Sequence, residues 1–340
     1  MVRKAQREYG TALQAVNAAI ADPLRCLQDE TLVSILLLNV LDDLAGHSSF
    51  ISCSHLEGCT QLIKLREAKD FRTEYSSDLA HSIVLQTQPA ILEGWRAEGS
   101  FFNEYLINEW LWGQTRPSPA VEVSSFCLQI SQLGKMTQDA LSRDETDIEG
   151  CTLLLIALLE NGMNLETSMA QWYKCQDGRW ARKTCTLAIN DSALLDYYSD
   201  IQVAKTWNHW RVARILLHDL LLRSMAHIQA SACEYKENLD VLRSNSLVII
   251  ERMLLGILAS IPYHLQQIDE MGRCATQSRQ RLLGGRALMW PLKMVLKSQW
   301  STPAYQQEAM KALQFIGDVV GVKQAAVYLK EAIQPCEPEQ

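Results

Sequence analysis

"WNHWRVARILLH", Trp207 to His218, packs two tryptophans, two histidines and two arginines into twelve residues. Their spacing decides how they are read. Trp207, Trp210, Arg214 and His218 follow an i, i+3, i+7, i+11 row, and Val212, Ile215, Leu216 and Leu220 form an apolar stripe beside it. The segment reads as one amphipathic helix, and the same signal recurs along the chain.

Working outward, a long helical region is expected from Asp191 to about Glu234, after a loop in KCQDGRWARKT. Another is expected from Asn238 to Ile261, stopped by Pro262. On the N-terminal side a helix runs from about Thr11 to Ala21, ended by Asp22-Pro23. Asp29 is placed to cap the next, TLVSILLLNVLDDL, which is apolar almost all round and therefore buried. Gly46 to Ser54 is a polar connection, and HLEGCTQLIKLREA returns to helical spacing. Further helices are expected near 76–92, 98–113, 122–142 and 148–173. Ser278 to Gly285 is polar and glycine-bearing; LMWPLKMVLKSQW follows, with Pro291 at a helix start or a kink. A last helical stretch, Gln306 to Ile333, is interrupted near Gly321. Alternating β-branched runs are nearly absent, no repeat is evident, and no Pro/Ser-rich linker divides the chain. Residues 1–340 are thus expected to form a single large all-α domain.

Composition narrows the function. Hydrophobic residues make up 48% and charged residues 21% of the 340, too apolar for disorder and ample for a core. A net charge of −7 without a basic block repels phosphate, so no direct nucleic-acid binding is expected. The ten cysteines contain no C-x2-C pair, and Cys127 and Cys151 lie within apolar helical runs, so no metal is expected. The N-terminus lacks an apolar signal segment and no uninterrupted apolar stretch spans a bilayer. These features point to a reduced, soluble protein that is neither secreted nor membrane-bound.

Three blocks resemble the regulatory (middle-homology) domain of fungal zinc-cluster transcription factors. The first is ALQAVNAAIADPLRCLQDETLVSILLLNVLDDL with SHLEGCTQLIKLR, carrying a His-x-x-Gly-small pattern at His55, Gly58 and Cys59 and closing on Arg66. The second is Trp207 to Leu222. The third is GGRALMWPLKMVLKSQW followed by ALQFIGDVVGVKQA, similar to the family's Trp-Pro-Leu helix and its Gly-Val-x-Gln-Ala ending. The blocks run in family order from about residue 10 to residue 330. Ser52 stands where the family often has tryptophan, and no zinc cluster of C-x2-C-x6-C type occurs in the sequence. The resemblance implies the all-α regulatory fold and transcriptional regulation, linked to metabolic or secondary-metabolite genes. That role would be nuclear and would use protein partners, a homodimer or a small-molecule effector.

Several arrangements suggest chemistry. If Trp210, Arg214 and His218 are typical of a family without shared catalysis, they are core residues, with indole under guanidinium and a carboxylate partner for the buried arginine. The other reading is that these three line an effector pocket. Asp42-Asp43 and Asn190-Asp191 suggest the magnesium motifs of a terpene synthase. Gly46, His47, Leu194 and Tyr198 occupy the positions where those motifs need other side chains, so both motifs are broken. The alternative function is a cytoplasmic enzyme built on this scaffold, a cofactor-independent isomerase or epimerase. New acid–base groups would then sit where the chain departs from the family, at Asp43, His47 and His81. No nucleophile elbow or phosphate loop occurs.

Overall fold

The computed structural model describes residues 2–46, 54–65, 118–142, 148–186, 194–230, 238–275 and 281–333, with positions 79, 83, 86–89 and 92. Helices α1 (Val2–Ala21), α2 (Asp29–Ala45) and α3 (Ser54–Leu65) come first, then α4 (Pro119–Leu141) and α5 (Ile148–Lys174). A hairpin of β1 (Lys183–Thr186) and β2 (Leu194–Tyr197) precedes α6 (Ile201–Ala230), α7 (Leu239–Ala259) and the short α8 (Ile261–His264). α9 (Arg281–Lys297), α10 (Pro303–Phe315) and α11 (Gln324–Ile333) close the chain. The fold is all-α, departing from this among the described residues in the hairpin and in an isolated antiparallel bridge between Ile268 and Cys274. The helix expected at 98–113 lies outside them. Of the one at 76–92, the described positions are helical.

Apolar side chains gather into two clusters. The smaller joins α1–α3 with Leu79 and Ile83. The larger surrounds α6 and draws on α4, α5, α7 and α9–α11. The sequence suggests α6 is amphipathic, but every residue from Thr206 to Leu222 is buried. The helix runs through the middle of the bundle for about 45 Å. Between Thr206 and Leu222 its buried polar side chains are accommodated by polar groups of neighbouring elements.

Several expected boundaries move, each for a local reason. α6 begins at Ile201, not Asp191, because Asp200 caps it: its Oδ1 accepts from the backbone N–H of Gln202 at 2.9 Å and of Val203 at 3.0 Å. Leu194–Tyr197 instead pair with β1, which also takes Lys183 and Thr184 out of the expected loop. Gln28, not Asp29, occupies the cap position of α2, and Asp29 falls in its first turn. α1 starts at Val2, well before Thr11. Pro262 does not end the helical course; it sits in the first turn of α8, where its missing N–H costs nothing. α7 with α8, Leu239–His264, is long and apolar enough to cross a membrane, yet Leu239, Ile250, Leu254 and Ile257 are packed into the core.

α9 begins at Arg281, so Gly284, Gly285 and Pro291 all lie within it. The glycine has a steric reason. A Cβ on Gly284 would stand 1.9 Å from the carbonyl oxygen of His264, so α8 and α9 touch backbone to backbone at this point. Gly10 of α1 has nothing within 4 Å of the same position. Gly284→Ala should therefore lose about 3 kcal/mol or more in denaturant unfolding, through forced displacement of backbone. Gly10→Ala should be neutral or gain up to about 1 kcal/mol from helix propensity. Equal effects at the two positions would contradict this packing.

Candidate functional site

α5 and α6 run antiparallel, and their side chains meet in order. Tyr173 and Trp172 lie against Trp207, with ring centroids 5.5 and 5.1 Å away. Trp172 also stacks on Trp210 at 5.5 Å, and the Trp210 indole N–H donates to the Met169 carbonyl at 3.3 Å. One turn further along α6, Arg214 lies over the Trp210 ring, 4.8 Å from its centroid, and pairs with Glu166. The guanidinium engages both carboxylate oxygens, with Nε to Oε2 at 3.0 Å. His218 ends the row, its Nδ1 3.1 Å from Ser246 Oγ of α7. Its Nε2 is 3.1 Å from Glu166 Oε2, off the line of an ideal hydrogen bond but within ion-pair reach. Burial pushes the Glu166 carboxyl up, but His218 and Arg214 outweigh it and hold it below its ordinary value. Trp210, Arg214 and His218 are thus brought together and buried, Trp210 and Arg214 hydrogen-bonded to protein groups and His218 bonded through Nδ1, with its Nε2 beside Glu166.

A second buried arginine on α6 organises the hairpin. Arg211 donates from Nη2 to Asp196 Oδ2 at 2.5 Å and from Nη1 to Asn208 Oδ1 at 2.6 Å. Asn208 in turn donates to Ser260 Oγ at 2.9 Å. The other Asp196 oxygen accepts from Arg182 at 2.9 Å. Periodicity missed Asp196 because a carboxylate inside a four-residue strand gives no pattern. Glu166 was the more accessible omission: Glu166, Met169 and Tyr173 form an i, i+3, i+7 row complementary to that of α6.

Asp43 belongs to a third group, where the N-terminal helices meet the bundle. Arg286 of α9 donates from Nε to Asp43 Oδ2 at 2.6 Å and from Nη2 to Gln86 Oε1 at 3.2 Å. Neighbouring Asp42 accepts from the Tyr9 hydroxyl at 2.7 Å and lies 2.9 Å from His55 Nε2. Lys205 and His209 stand one turn apart on α6, and Arg286 and Trp290 one turn apart on α9. His209 packs edge-on against Trp290 at 5.0 Å, its Nδ1 held by Gln88, which also reaches Ser124 Oγ at 2.5 Å. Burial raises the Asp43 carboxyl despite the opposing pull of Arg286. Burial, with Arg286 adding to it, pulls the Lys205 ammonium down to about 7. His209 is driven well below its usual range by burial, with Lys205 and His264 adding to it. His47 and His81, the other acid–base candidates, lie outside the described residues. No group of three or more metal-ligating side chains occurs among the described residues, and Asp42 and Asp43 are instead engaged by Tyr9, His55 and Arg286.

Comparison with known proteins gives one family and one curated relative. Residues 1–88 match the fungal specific transcription factor domain, which takes in the first of the three sequence blocks. A stretch of 145 residues is 29% identical to the protein described as transcription factor dbaG of Emericella nidulans, covering 40% of this chain. The match spans 32% of that relative's length. No solved structure matches significantly. The resemblance to a fungal regulatory domain stands on these two matches, and the all-α fold is consistent with it.

The α5–α6 row yields a stability test. Glu166→Ala leaves Arg214 buried without a carboxylate and should cost about 3–5 kcal/mol. Trp210→Ala should cost a similar amount by opening a cavity. His218→Ala should lose only about 1 kcal/mol, and Glu166→Met with Arg214→Met should recover most of the loss from Glu166→Ala. Thermal and denaturant melts read all four. A Trp210→Ala protein with unchanged stability but lost activity would make the row a binding site.

Proposed function

We propose that this chain is a regulatory module of a fungal transcriptional regulator, acting in the nucleus through protein contacts or a small-molecule effector. Its targets on this reading are metabolic or secondary-metabolite genes. The observation that carries the proposal is the match of residues 1–88 to the fungal specific transcription factor domain. The relative described as a transcription factor supports it. So does α6, whose arginines and histidines spend their hydrogen-bonding capacity on one another's neighbours inside the bundle, as in a scaffold. A net charge of −7 favours protein or small-molecule partners over phosphate for this chain's own surface.

One observation favours the second reading, an isomerase or epimerase. In the Asp43–Arg286–Lys205 group an acid is shifted up and an amine down toward neutrality, the direction acid–base catalysis requires. Deleting the gene separates the two. Regulation predicts that transcripts of a defined set of biosynthetic genes fall together with their product. Unchanged transcripts, with accumulation of an isomer of the normal product, would overturn regulation and support the enzyme.

A further inference from the structure

We infer that Lys205 and Arg286, with Asp43 beside them, form a binding site for a small organic carboxylate at the junction of α2, α6 and α9. The proposal refines the small-molecule part of the regulatory reading and rests on that reading for its biological meaning.

The two ladders, Lys205–His209 and Arg286–Trp290, face each other across α6 and α9. Their inner rungs are closed by the His209–Trp290 contact, where both residues are about 2% exposed. The outer rungs carry the two cations. Arg286 commits Nε to Asp43 and Nη2 to Gln86, leaving Nη1 without a bond among the described residues. Its side chain is 21% exposed and that of Asp43 12%, so the group is reachable from solvent. Lys205 is half-buried, and among the described residues it makes neither a hydrogen bond nor an ion pair. A desolvated ammonium beside a guanidinium is unfavourable unless an anion completes the site.

The ligand class follows from the charges. The second carboxylate, Asp42, is engaged by Tyr9 and His55, and His209 is held neutral by burial. With Lys205 protonated and Asp43 ionised, the Lys205–Arg286–Asp43 group carries one positive charge more than the described residues balance. A carboxylate would accept from Lys205 Nζ and Arg286 Nη1 and neutralise it. A phosphate dianion would overcompensate and meet the Asp43 carboxylate at short range.

The test uses the full chain at low ionic strength, with acetate, propionate and benzoate as probes and inorganic phosphate as the contrasting anion. At least one carboxylate should raise the melting temperature saturably, and calorimetry should show phosphate binding more weakly. Lys205→Met should weaken that carboxylate about 10- to 100-fold, as expected for one charge-assisted hydrogen bond, while Lys205→Arg retains binding. Without ligand at pH 7, Lys205→Met should melt above the parent, since it removes a desolvated amine that makes no hydrogen bond or ion pair among the described residues, and the fold stays measurable. No saturable shift with any of the three carboxylates would overturn the site. So would tighter phosphate binding, or undiminished binding by Lys205→Met. Carboxylate binding with no transcript response on gene deletion would retain the site and sink the regulatory reading instead.

Discussion

Inside the bundle, Arg214 and His218 share the Glu166 carboxylate, and this buried contact sets how α5 and α6 pack. Burying a guanidinium is tolerable only if a carboxylate meets it in good geometry, and this one is met on both oxygens. That requirement fixes which turn of α5 faces which turn of α6. Once Glu166 meets Arg214, Met169 must face Trp210, and Tyr173 must face Trp207. The aromatic stack then supplies the apolar contact that the charged pair does not. The ion pair sets register, and the tryptophans supply adhesion.

The same logic extends from α6 in two further directions. Arg211 draws Asp196, and with it the hairpin, onto the bundle, and Arg182 shares the carboxylate from the outer side. Asp43 and Arg286 tie the N-terminal helices to α9, reinforced by the Lys323 N–H donating to the Leu44 carbonyl at 3.2 Å. In the first two of these three polar junctions each buried arginine meets a carboxylate of the protein. The third contains Lys205, which makes no hydrogen bond or ion pair among the described residues, and it sits where the region matching the fungal transcription factor domain meets the remainder of the chain. A ligand there would touch α2, α6 and α9 together and change how firmly the N-terminal helices are held.

Much of this was readable from residue spacing, and the failures have physical causes. The row Trp207, Trp210, Arg214, His218 is a local pattern, and local patterns survive folding. That α6 is buried on every side could not be read, because its polar residues signal an exposed face unless the partners are known. Those partners are remote: Glu166 lies 48 residues before Arg214, and Asp43 lies 243 before Arg286. Gly284 looked like loop chemistry because its real reason, the His264 carbonyl, is a tertiary contact. Lys205 was overlooked, since an isolated lysine on a helix ordinarily signals solvent. Asp43 was singled out as a departure from the family pattern, and it does lie in a polar junction, while nothing in its own segment names Arg286.

If a carboxylate-bridged α5–α6 seam organises the fold, α6 must be the last element to open. Native-state hydrogen exchange on the purified chain measures this directly. Backbone amides from Val203 to Ile228 should exchange most slowly, with opening free energies equal to that of global unfolding. Faster exchange across Thr206–Leu222 than in the peripheral helices α1 and α10 would show that α6 opens on its own, and would contradict the account.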